Sequence, residues 1–218
     1  MKVLVFDTET TGLPDRFNIP YQNSSRWPHI VQFSFILYDL ENNKVINESD
    51  FIINVPDDVN ISPESVKIHG ITKKISKNKG FDIVDILEIF NICINAADYV
   101  VAHNINFDRN IILAECHRNK LYHMENMFTP DKNYFCTMLR SKNLCNLTAI
   151  SKRNGEQFVR YPKLTELHEK LFNTQPNNLH NSFIDVIVCL RCFYQLTHKK
   201  DICKINKRIN KLYKSYCS

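Results

Sequence analysis

Strand-like segments come first and consecutively in this chain, and that order narrows the fold more than any other feature. VLVF (residues 3–6) is a short apolar run ending at an acid, and IVQFSFILYD (30–39) and KVINESDFII (44–53) flank the turn-like Glu41-Asn42-Asn43 as a hairpin. The first run reads as a buried central strand that presents Asp7 at its carboxyl end. A loop with Pro56 and Pro63 leads into a helical region through ISPESVKIHGIT. FDIVDILEIFNICI, apolar at 83, 86, 87, 90 and 94, is an amphipathic helix, and ADYVVAHN is a fourth, buried strand. A helix from Phe107, a short strand or turn at YFCTML, a helix over 163–172 and another beginning near His180 complete the pattern. Three strands followed by helix–strand alternation predict an α/β layer fold, a mixed sheet covered by helices on both faces.

With 218 residues and no break in composition, a single domain over 1–198 is expected, with 199–218 as a basic appendage. From Lys199 onward seven basic residues face one acid, Asp201, so this segment carries +6 and leaves −1 for the rest of a chain whose net charge is +5. Ile202, Ile205, Ile209 and Leu212 recur at helical spacing, which predicts one amphipathic helix packed on the same domain. Its basic face is either a solvated surface or a polyanion contact. Deleting 199–218 is then expected to weaken oligonucleotide binding while sparing the catalytic groups.

Several function classes drop out. The four glycines form no G-x-G-x-x-G and no G-x-x-x-x-G-K, which excludes dinucleotide and P-loop phosphate cradles. The first residues hold no secretory apolar region and no segment has the length of a membrane span, so an intracellular, soluble protein is expected. The eight cysteines lie in apolar runs and read as buried thiols; Cys189-x-x-Cys192 lacks the second ligand pair of a zinc site.

The chemistry points to acids. Asp7 and Glu9 are two apart on an extended segment and project the same way. Two facing carboxylates repel unless a cation lies between them. Acids that end a strand are common, and a lone D-x-E would be read that way. Asp108 follows the fourth strand, at the sheet end where α/β folds place their sites. Asp185 opens the helix after Asn178, where Ser182-x-x-Asp185 also fits a capping box. A cap explains neither Asp108 nor the first pair, whereas a metal site explains all four. Oxygen donors alone favour Mg²⁺ or Mn²⁺. His180, five residues before Asp185, suits a general base near neutral pH.

Together DTETTGL (7–13), VAHNINFDRNII (101–112) and LHNSFID (179–185), with IHGIT (68–72), resemble the motifs of the DEDDh 3′–5′ exonucleases, the group of the polymerase III epsilon proofreading subunit within the ribonuclease H-like superfamily. The motifs come in family order and extend over nearly the whole chain. The resemblance implies a three-layer fold with a mixed five-stranded sheet. It implies that Asp7, Glu9 and Asp185 bind one divalent cation, that Asp7 holds a second with phosphate oxygens, that Asp108 assists largely through water, and that His180 deprotonates the attacking water. Single-stranded DNA or RNA 3′ ends would be the substrate and 5′-mononucleotides the product, with a polymerase or other replication or repair protein among the expected partners. Thr10 would meet the terminal 3′-OH, Leu13 would wedge against the last base, and Asn104 and Phe107 would line the strand's path. For Leu13 and Phe107 simple core packing is the other reading.

The departures from the family lie outside the catalytic set. Gln32 and Ser34 stand where many relatives carry Glu and Gly, and the segment between Leu13 and Ile30 is long, with Arg16, Tyr21, Arg26 and Trp27. That segment could stack and steer single strands, or be a lid packed on the sheet. A noncatalytic binding module on the same fold, and an endonuclease, are the other functions weighed; all five site positions being present disfavours the first, and the His-x₄-Asp spacing the second.

Overall fold

The computed structural model describes residues 1–16, 18–177 and 179–217; Asn178, named above as the residue before the last long helix, and Ser218, the end of the predicted tail, lie outside them. β1 (Lys2–Thr10), β2 (Ile30–Asp39) and β3 (Lys44–Ile52) precede α1 (Pro63–His69), α2 (Lys73–Lys79) and α3 (Ile83–Ala96). Then come β4 (Tyr99–Ala102), α4 (Ile105–Arg118), β5 (Asn133–Cys136), α5 (Thr137–Cys145) and two short strands, β6 (Thr148–Ile150) and β7 (Gln157–Val159). The chain closes with α6 (Leu164–Phe172), α7 (Ser182–His198), α8 (Ile202–Ile205) and α9 (Lys207–Tyr216).

The main sheet has the order β3-β2-β1-β4-β5. β1 runs antiparallel to β2 and β2 to β3, while β4 lies parallel to β1 and β5 to β4. This is the mixed sheet with helices on both faces that the order of segments predicts, with the five strands that the resemblance implies. Alternation along β1 sends Leu4 and Phe6 into one core with α3 and α4, and Val3 and Val5 into the other with α7 and α9. In the first core Phe90 of α3 meets the rings of Phe6, Phe33 and Phe35 at 5.4, 4.8 and 5.3 Å. Burying each such ring is worth about 1.5–3 kcal/mol.

Three elements differ from the sequence reading. β1 does not stop near Phe6: β2 keeps pairing with it, Asp7 opposite Ser34 and Glu9 opposite Gln32, so both acids sit inside the strand. YFCTML is not only a strand or turn but the end of β5 and the start of α5. The basic tail is not one helix. Asn206 divides it, accepting the Ile209 N–H at 3.0 Å through Oδ1 and donating to the Asn43 carbonyl at 2.7 Å. Ile202, Ile209 and Leu212 are buried and Ile205 is exposed. Ile202, Ile209 and Leu212 share a core with α7, so deleting 199–218 would also remove buried side chains that pack on that helix.

Arg191 of α7 holds this side together. It pairs with Asp201 through two bonds of 2.9 and 2.7 Å and lies over the rings of Phe172 and Tyr213 at 4.0 and 4.3 Å. It also donates to His168 Nε2 at 3.1 Å. His168 is buried and its pKa is lowered, chiefly by that burial; the neutral ring donates from Nδ1 to the Thr174 carbonyl at 2.7 Å. Arg191→Ala leaves the largely buried Asp201 carboxylate unpaired, and a loss of about 3–5 kcal/mol is expected in urea denaturation; a loss below about 1 kcal/mol would mean that the pair is in effect solvated.

The eight cysteines are free, seven of them buried and Cys203 half-buried, and burial pushes the Cys189 and Cys192 thiols up. Among the described residues no helix is long and apolar enough to cross a membrane.

Candidate active site

Asp7 and Glu9 project from β1 toward the α7 layer, on the side that Val3 and Val5 occupy. Asp185 reaches them from the first turn of α7. One carboxylate oxygen from each of Asp7, Glu9 and Asp185 lies within 4.8 Å of the others. Asp108, in the first turn of α4, comes from the opposite layer. β4 pairs with β1 only over Val3–Val5, and beyond that point the Thr8 N–H and hydroxyl turn to Asp108 Oδ1 at 3.1 and 2.8 Å. The fourth acid thus stands beside the trio rather than in it.

All four carboxyls are held above their ordinary pKa, first by burial. Asp7 lies well above the carboxylate range, with Asp108, Asp185 and Glu9 adding repulsion. Glu9 is pushed up to about 8 by burial and then by Asp185 and Asp108. Asp108 and Asp185 rise to about 7; bonds from Thr8 pull the first back, and the His180 N–H the second. Among the described residues no ion pair reaches any of the four. Acids arranged in this way cannot all ionise without a cation, and an all-oxygen donor set suits a hard divalent one.

His180 has an exposed side chain and a left-handed backbone, φ 74°. Its N–H donates to Asp185 Oδ2 at 3.1 Å, so the spacing between the two residues reflects a backbone bond. Its loop is tied to the C-terminal end of the chain, the Asn177 N–H donating to the Cys217 carbonyl at 3.0 Å. The capping box is absent. Asn181 is the cap, its Oδ1 accepting from the Phe183 and Ile184 N–H groups at 3.2 and 3.4 Å. Ser182 turns instead to Ser34, hydroxyl to hydroxyl at 2.6 Å, and its N–H donates to Gln32 Oε1 at 3.2 Å. Gln32 and Ser34, set aside by the sequence reading, therefore sit beside Glu9 and Asp7 in the sheet and hold the start of the helix that carries Asp185.

Two cavities meet at the acids and share no lining residue. One, of about 610 Å³, is lined by Asp7, Asp185, His180, His103, Asn104 and Tyr161 among others. The second, of about 520 Å³, includes Glu9, Thr10, Leu13, His69 and Phe107. Leu13 is 74% exposed, which removes the core-packing reading for it. Thr10 donates its hydroxyl to the Gly12 carbonyl at 2.6 Å, and its own carbonyl meets His69 Nε2 at 3.2 Å. Phe107 does both things considered for it, packing on the core while lining the cavity. Asn104, with φ 69°, sits at the turn into α4. His69, His103 and Tyr161 were not named from sequence. His69 lies within the IHGIT element and His103 within VAHNINFDRNII; no quoted motif contains Tyr161.

The segment after Leu13 is largely packed down. Trp27 is buried and donates from Nε1 to the Pro20 carbonyl at 3.3 Å, Arg26 pairs with Asp15, and Arg118 holds the Ser24 and Trp27 carbonyls at 2.6 and 2.9 Å. The lid alternative describes it better than a stacking surface.

The profile of a family described as an exonuclease, RNase_T, matches residues 4–193. Among solved structures, the chain is similar to E. coli exonuclease I in complex with a dT13 oligonucleotide, at 19% identity and TM-score 0.65, covering 89% of this chain and 41% of that one. It is similar to a zinc ion-bound complex of E. coli exonuclease I with single-stranded DNA, at 19% identity and TM-score 0.65, covering 91% and 41%. A product-bound structure of exonuclease I aligns at 18% identity and TM-score 0.64, over 98% and 45%. These likenesses show a shared fold, and the chain spans less than half the length of these structures. No curated protein sequence matches it.

Proposed function

We propose, on the premise that the chain belongs to the RNase_T exonuclease family, that it removes nucleotides one at a time from the 3′ ends of single-stranded nucleic acid by hydrolysis. The observation that carries this reading is the meeting of Asp7, Glu9 and Asp185 within 4.8 Å, with raised pKa values and His180 on the wall of the same cavity. Asp7, Glu9 and Asp185 would hold one divalent cation, Asp7 would share a second, and Asp108 would assist through water; Mg²⁺ and Mn²⁺ suit the donors. Bound there, the cations supply positive charge to the attacking and leaving oxygens of a phosphodiester and lower the pKa of water.

The chain's own residues supply the rest. The His180 imidazole takes the proton of the attacking water, and its backbone bond to Asp185 keeps it beside the reacting centre. The cavity of Glu9, Thr10, Leu13 and His69 receives the terminal nucleotide, with Thr10 near the 3′-OH and Leu13 against the last base. Asn104 and Phe107 border the way to it. The oligonucleotide complexes of exonuclease I support a single DNA strand as the first substrate to test. The narrower proofreading-subunit reading, with a polymerase or repair protein as partner, belongs to this proposal too.

The test is a single strand labelled at its 3′ end. With Mg²⁺ or Mn²⁺ the protein is expected to release labelled 5′-mononucleotides and to leave a circular single strand intact. A label that stays on the strand, or cuts in the circle, would overturn the reading.

A further inference from the structure

Between α5 and α6 the chain makes an excursion that the main sheet does not use. β6 and β7 pair antiparallel, Thr148 with Val159, Ala149 with Phe158 and Ile150 with Gln157, as a separate two-stranded sheet. A ribbon this short is not stable alone. Its base is clamped: the Arg160 N–H donates to the Leu147 carbonyl at 2.8 Å, and the Arg160 guanidinium grips Glu166. His103 ties the segment after it to the end of β4, meeting the Pro162 carbonyl at 3.1 Å and the Thr137 hydroxyl at 2.9 Å.

The far end, residues 152–158, is exposed. Ile150 is 73% and Phe158 48% exposed. Lys152 and Arg153 stand at the tip, exposed, and neither side chain forms an ion pair among the described residues. Residues 143–163 hold four basic side chains and one acid, Glu156, so the excursion carries +3. It is also continuous with the candidate active site. Tyr161, just past β7, lines the cavity that contains Asp7, Asp185 and His180 and also the neighbouring one with Asn104 and Phe107. Lys142 lies over the Tyr161 ring at 4.8 Å, and Lys163 lines the catalytic cavity.

Cations next to exposed aromatic rings, along an open path from a phosphodiester site, match a single nucleic-acid strand in both charge and stacking. We propose that the β6–β7 hairpin is a substrate arm, in which Phe158 and Tyr161 stack on bases and Lys152 and Arg153 contact phosphates of the strand on the 5′ side of the nucleotide being removed. This rests on the exonuclease reading for its orientation. The terminal nucleotide occupies the Leu13 cavity, so the strand leaves through the other one, toward Tyr161 and the hairpin.

The experiment compares the full chain with the double variant Lys152→Glu, Arg153→Glu and with Phe158→Ala, all exposed positions away from the acids. Binding of a fluorescent oligothymidylate of about 20 nucleotides is measured without divalent ions over a salt series, and nucleotide release is measured from that strand and from a trinucleotide. The double variant is expected to bind the long strand about tenfold more weakly, with a salt slope shallower by about 1–2. Phe158→Ala is expected to weaken binding about fivefold or more at unchanged slope. Release from the trinucleotide, too short to reach the arm, is expected to stay within about twofold of the unaltered protein. Unchanged long-strand binding in both variants, or equal losses on long and short substrates, would overturn the proposal. An unaltered protein that binds the strand but releases nothing would instead fault the exonuclease reading, and the ratio of variant to unaltered binding would still decide the arm.

Discussion

Asp7→Asn is expected to reduce nucleotide release by about 10³-fold or more and, without divalent ions, to make the protein more stable. The two effects share a cause. Asp7 is pressed by burial and by Asp108, Asp185 and Glu9, so the ionised side chain opposes folding until a cation offsets it. The sign follows from the raised pKa values. Glu9 moves from 4.5 to about 8, and Asp108 and Asp185 from 3.8 to about 7. Between those limits the folded protein holds more protons than the unfolded chain, so its stability falls as pH rises. The stabilisation is complete below about pH 4 and is lost by about pH 8. Asn at position 7 carries no charge to repel. The variant should therefore melt above the unaltered protein at pH 8 in chelator, converge with it near pH 4, and gain nothing from added Mn²⁺. A variant that melts lower at pH 8 would place Asp7 in an ordinary stabilising role.

His180→Asn separates proton transfer from cation binding. Asn tolerates the left-handed backbone at this position, and the side chain is exposed, so folding should change by no more than about 0.5 kcal/mol. The bond that orients Asp185 comes from the backbone N–H and survives the substitution. The expected result is a fall in kcat of about 10²–10⁴-fold, with Mn²⁺-induced stabilisation and oligonucleotide binding retained. Loss of the Mn²⁺ response together with activity would make His180 a cation ligand or a structural residue and not a base.

How much was legible in the sequence depends on how far each interaction reaches. Asp7 and Glu9 are two apart on a strand, and the two-residue period alone puts them on one face. Asp185 was reached only by taking the four acids together as one metal site, a reading that the resemblance strengthens, since nothing local distinguishes it from a capping acid. The cap itself was misread because the Ser182 hydroxyl is claimed by Ser34, 148 positions away, and the cap passes to Asn181. α5 was missed because Leu139 and Leu144 face outward, leaving no apolar stripe. The hairpin was missed because strands of three residues are shorter than any periodicity can resolve. The break at Asn206 depends on Asn43, in a turn of the main sheet, which no helical pattern contains.

Calorimetric titration of the chelated protein with Mn²⁺ near pH 7, repeated on Asp7→Asn and Asp185→Asn, tests the convergence of the acids most directly. The unaltered protein should show saturable binding accompanied by proton release, because carboxyls held protonated must give up their protons to the ion, and both variants should lose that binding and the proton release with it. Equal binding in all three proteins, or none in the unaltered one, would contradict the account.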